Sequence, residues 1–239
     1  MITEMADGGW AGLAMIGVTI LCAGAGLGFA SWAREYDARL QAGALPDMCT
    51  LWRAAHRAYR RPFRRGRSGW GAVAAGGLAA CLLTQQGWAG LAPLLLGLGL
   101  AVLAWLDGYS GLLPDALTLP LMAAGWWLGS LGLADALGAS VAVWLGLAVF
   151  AGLYRRLRGR DGFGGGDVKC LAMLAGWLGW PAALTILWWA SILGLLDWAC
   201  RPGQRQGARP FGPYLAVAAC PWILWPEAIA TGMIRLGWM

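Results

Sequence analysis

Apolar residues run along this chain in long blocks, not in the alternating or two-turn patterns of a soluble domain. The blocks fall at about 10–32, 70–86, 89–106, 116–133, 135–154, 168–180, 181–199 and 211–234, separated by arginine-rich or glycine-rich breaks. A helix needs ~20 apolar residues to cross the ~30 Å hydrocarbon core of a bilayer. The pattern predicts an all-α, polytopic membrane protein with about eight transmembrane helices. The first block is too long for a secretory apolar region and no small-residue cleavage site ends it, so it reads as a retained helix. The expected organisation is a first transmembrane helix in 1–32, a cytoplasmic segment at 33–69 and a membrane-embedded core at 70–239.

Composition agrees. The 239 residues are 59% hydrophobic and 13% charged, about half the charged fraction of a soluble domain, and the mean hydropathy is +0.58. The 38 glycines suit close helix packing in lipid, and the 17 tryptophans suit membrane interfaces.

Charge then orients the blocks. With the N-terminus outside, the cytoplasmic segments are 33–69, 107–115, 155–167 and 200–210. They hold nine arginines between Arg34 and Arg67, then Arg155, Arg156, Arg158 and Arg160, then Arg201, Arg205 and Arg209, with Lys169 just beyond the third segment. Only Arg235 is left for the far side, as the positive-inside rule requires. The block 168–180 is short for a span, and the arginines of 200–210 are the reason to let it cross.

Two aspartates stand at block edges, where an ionisable group is costly without a function or a partner. Asp107 lies in Leu106-Asp107-Gly108-Tyr109-Ser110-Gly111, and Asp167 in Phe163-Gly164-Gly165-Gly166-Asp167-Val168-Lys169. Either one alone reads as a helix-end residue facing water. Two full blocks separate them, so an even number of crossings returns both to one face. Neighbouring carboxylates share a proton; one then deprotonates water while the other polarises a carbonyl, which hydrolyses an amide without a covalent intermediate. Gly164 and Gly166 would let backbone approach closely. Pro114 is expected to open the next helix and Asp115 to cap it. Lys169, the sole lysine, reads as a local charge balance, a contact to substrate backbone, or a snorkelling side chain.

Other chemistry has little material. The six cysteines include no C-x-x-C pair and read as structural thiols, and His56 is the only histidine.

At these residues the chain resembles the type IV prepilin peptidases, prepilin leader peptidases of the GxGD class of membrane aspartic proteases. The likeness rests on Gly164-Gly165-Gly166-Asp167-Val168-Lys169, on Asp107 followed by Pro114-Asp115-Ala116-Leu117-Thr118-Leu119-Pro120, and on Arg209-Pro210-Phe211-Gly212-Pro213-Tyr214, in that order. It implies an inner-membrane endopeptidase that removes the leader of prepilins or pseudopilins at the cytoplasmic face, commonly after a glycine. Asp107 and Asp167 would be the catalytic pair, with no metal or organic cofactor and with Gly164, Gly166 and Lys169 in support.

The N-terminal part departs from the family. Many members carry two C-x-x-C pairs there, associated with metal binding and N-methylation, whereas 33–69 holds Cys49 alone. A tetracysteine site needs four thiolates and cannot form, which puts methylation in doubt and leaves peptidase chemistry untouched. The segment instead carries a basic, aromatic run at 53–67, expected to anchor on anionic lipid headgroups. Nucleic-acid binding is not expected of it. Two competing functions are a proton- or cation-coupled transporter using membrane aspartates, for which Asp197 is the best further candidate, and an inactive pilus or secretion assembly factor.

Overall fold

A computed structural model describes residues 86–159, 162–200 and 210–235, together with 19–20, 22, 32–47, 49–51, 53–54 and 77–83. Most of the first apolar block, most of the basic run at 53–67, His56 and Arg209 lie outside the described residues. The protein is all-α: among the described residues there is no β-strand. From Leu91 onward the described residues form α1 Leu91–Ser110, α2 Asp115–Leu128, α3 Leu133–Arg158, α4 Gly165–Leu178, α5 Trp180–Cys200, α6 Gly212–Leu224 and α7 Pro226–Arg235. A 3-10 turn, Gly87–Gly90, leads into α1.

Helix α4 is the centre. It packs on α3, α2 and α5, while α6 lies against α1 and α5. Residues 170–177 of α4 are all buried, so its apolar character on every side is satisfied by protein. By contrast α3 turns Val149, Phe150, Leu153 and Leu157 outward, and α5 turns out Trp188, Leu195 and Leu196. Large exposed apolar faces of this kind suit lipid, where backbone polar groups must be paired within the helix. A smaller cluster joins Ala33, Tyr36, Leu51 and Ala54 to Val102 and Leu106 of α1.

Three helices, α1, α3 and α5, are long and apolar enough to cross a membrane by length and composition. The chain is therefore a polytopic membrane protein, but the described residues do not bear out a count of eight spans. Helices α2 and α4 have 14 residues each, about 21 Å at ~1.5 Å per residue, against a hydrocarbon core of ~30 Å. The expected spans 116–133 and 168–180 thus hold helices shorter than a straight crossing needs, α4 buried and α2 with Leu119, Trp127 and Leu128 exposed. The block 211–234 is also not one helix: Gly212–Leu224 and Pro226–Met233 meet at 95°. Pro226 lacks an N–H and disfavours helical backbone at Trp225, whose φ is −135° and ψ 58°. If the bent pair counts as one crossing, the spans number up to four.

Candidate active site

Asp107 sits in the last turn of α1. That helix ends because Gly111 takes a left-handed φ of 64°, and its N–H returns to the Asp107 carbonyl at 2.8 Å. The chain then runs extended to Pro114, which occupies the N-cap of α2 one residue before the expected position. Asp115 is in the first turn of α2 and makes no capping hydrogen bond. The expected cap role is therefore wrong. Its carboxylate instead pairs with Lys169, whose Nζ lies 2.8 Å from Oδ1 and 2.6 Å from Oδ2.

Asp167 lies in the first turn of α4, behind Gly164, which takes the N-cap place with an extended backbone. Its carboxylate folds back over Gly164 so closely that a Cβ there would stand 2.8 Å from Oδ2. Gly166 presses on Leu113, 3.1 Å from where its own Cβ would be, so the glycine loop touches the loop after Asp107.

A third element completes the site. Gly212, the first residue of α6, donates its N–H to Asp107 Oδ2 at 2.7 Å. The carboxylate thus sits at a helix N-terminus, where unpaired N–H groups and the helix dipole favour negative charge. Asp107 is only 5% exposed. A side chain on residue 212 would stand 2.9 Å from Oδ2, so this approach requires glycine. The rings of Phe163 and Phe211 meet edge-on with centroids 6.1 Å apart, joining the glycine loop to the start of α6.

Both aspartates line one cavity of about 1400 Å³, with Leu112, Ser191, Trp198 and Tyr214 on its other walls. Gly164, Gly166, Asp115 and Lys169 line it too. Small-molecule sites run to ~300–1000 Å³, so the space accommodates a length of peptide. Asp167, which precedes the apolar part of α4, is pushed up from 3.8 to about 6. Burial is the main cause and the charge of Asp107 the second, while a hydrogen bond from the Gly164 backbone holds part of the rise back. Among the described residues, no three His, Cys, Asp or Glu side chains gather as a metal site would require. Asp197, on which the transport reading leaned, accepts a hydrogen bond from the Tyr214 hydroxyl at 2.9 Å.

Sequence reasoning brought out Asp107, Asp167, the glycines and Lys169, and the structure gathers them at one cavity. It missed Gly212 as the donor to Asp107 and Asp115 as the partner of Lys169. The Phe211-Gly212 segment was visible as a pattern, but nothing local tied it to an aspartate 105 positions earlier.

Comparison with known proteins follows the same residues. Positions 94–198 match the model of the Type IV leader peptidase family. The chain is 37% identical over 110 residues to a Pseudomonas putida protein named prepilin leader peptidase/N-methyltransferase, covering 44% of this chain and 38% of that one. It is 40% identical over 101 residues to a protein of the same name from Pseudomonas aeruginosa, covering 41% and 35%. A third, from Xanthomonas campestris pv. campestris, is 35% identical over 122 residues, covering 46% and 42%. The chain thus spans well under half the length of these curated relatives. No solved structure matches it.

Proposed function

We propose that this chain, which matches the type IV leader peptidase family over residues 94–198, is a membrane aspartic endopeptidase that removes the leader of prepilins or pseudopilins. The single observation that carries this reading is the meeting of Asp107 and Asp167 at one cavity, inside the segment that matches the family.

The two carboxylates differ in surroundings, and the difference divides their labour. Asp107 accepts the Gly212 N–H at the start of α6, which fixes its carboxylate at the cavity wall, and it is assigned the base. Asp167, half-buried and facing the charge of Asp107, holds a proton up to about pH 6 and is the acid. Asp107 takes a proton from water as the oxygen attacks the scissile carbonyl, and Asp167 gives its proton to the carbonyl oxygen. The tetrahedral diol then collapses: Asp107 passes its proton to the departing amine, and Asp167 recovers one from the diol hydroxyl. Each aspartate ends as it began, and one water has been added across the peptide bond.

The positive charge of 33–69 and 155–160 supports an N-terminus outside and a site facing the cytoplasm of a bacterial inner membrane. The basic run at 53–67 would rest on anionic headgroups. Methyl transfer is not part of this proposal, because 33–69 offers Cys49 alone where the metal-binding pattern needs four thiolates.

Co-expression with a prepilin whose basic leader ends in glycine before an apolar helix tests the reading. Loss of the leader, followed by mass, is the expected result. An intact prepilin in the presence of membrane-inserted protein would overturn it.

A further inference from the structure

Helices α2 and α4 run side by side and are tied to each other at both ends. At the end away from the aspartates, Ser130 donates to the Trp177 carbonyl through its N–H at 3.2 Å and its hydroxyl at 3.1 Å. Along the pair, Trp177 Nε1 donates to the Leu121 carbonyl at 2.8 Å. At the cavity end the tie is ionic: Lys169 Nζ reaches both oxygens of Asp115, at 2.8 and 2.6 Å.

The position of this ion pair decides its meaning. Asp115 follows Asp107 across one short extended loop, and Lys169 is the next residue but one after Asp167. Lys169 and Asp115 are 54 positions apart in the chain, so the bond joins the two segments that carry the aspartates. Both partners line the cavity, with side chains 38% and 50% exposed. An ion pair so open to water contributes ~0–1 kcal/mol to overall stability. Its effect is geometric, since catalytic groups must hold their separation to a fraction of an ångström.

We propose that Asp115 and Lys169 are positioning residues, a latch between the starts of α2 and α4 that holds the Asp107 loop and the Asp167 loop at their working separation. The proposal rests on the two-aspartate reading above. It differs from a substrate contact by Lys169, because the ammonium is already engaged by both carboxylate oxygens.

Two measurements on the full-length membrane protein test it, using Asp115→Asn, Lys169→Gln, the two together, and Lys169→Arg. The first is hydrogen–deuterium exchange of peptides covering 108–114 and 162–168, which needs no substrate. Both single variants should speed exchange there and leave α3 unchanged. The second is prepilin cleavage. Each single variant should lower kcat about fivefold, the factor corresponding to ~1 kcal/mol for one such pair, with KM unchanged. The double variant should fall by the same factor rather than by the product, because both changes break one interaction. Lys169→Arg should recover most of the rate. Unchanged exchange in both single variants, a multiplicative loss in the double, or a rise in KM in place of a fall in kcat overturns the latch. If the wild type cuts no prepilin, the function proposed above fails, and the exchange data still decide the latch.

Discussion

At the scale of single residues, the site is two carboxylates made unequal by their neighbours. In the proposed mechanism Asp107→Asn removes the base and Asp167→Asn the acid, so each variant should cut at least about 10³-fold more slowly while remaining in the membrane. Mass analysis of a co-expressed prepilin reads the outcome. The raised pKa of Asp167 fixes the sign of a pH effect. The proton needed on this residue is present below about 6 and lost as pH rises through that value, so kcat/KM should decline on the alkaline side. A profile flat from about pH 5 to 8 would remove Asp167 from the acid's role. Gly212→Ala puts a methyl group 2.9 Å from Asp107 Oδ2 and must push the carboxylate or the helix aside. A displacement of ~1 Å costs on the order of 10²-fold in rate, to be read as kcat in the same assay.

At the scale of elements, the sequence pattern located α1, α3 and α5 closely, because each is a continuous apolar stretch of about the length a bilayer demands. It drew α2 and α4 longer than their 14 residues each, since hydropathy alone does not mark where a helix stops within an apolar stretch. Cys170 to Trp177 would read the same in either setting. The break at Trp225 and Pro226 had a signal in the proline, but apolar residues continue across it and hide the turn. The ties between α2 and α4 left no trace in the pattern: a lysine and an aspartate 54 positions apart become partners only once both helices are in place. One of these ties can be weighed alone. Trp177→Phe keeps the ring packing and deletes the bond to the Leu121 carbonyl, and should cost ~1 kcal/mol. A lowered thermal midpoint in detergent, with the helical signal unchanged before melting, is the expected reading.

At the scale of the whole molecule, three long helices stand with a shorter pair, α2 and α4, whose first turns line the cavity that holds both aspartates. A bilayer adjusts to helices too brief for it by pinching inward, at a fraction of a kcal/mol per ångström. Beside α2, which leaves Leu119, Trp127 and Leu128 exposed, such pinching would draw the headgroup layer toward the cavity that Asp115 lines. The surrounding lipid thereby becomes a determinant of turnover. In vesicles of progressively longer acyl chains, cleavage should slow as the dip grows costlier to maintain, whereas short-chain lipids should sustain it.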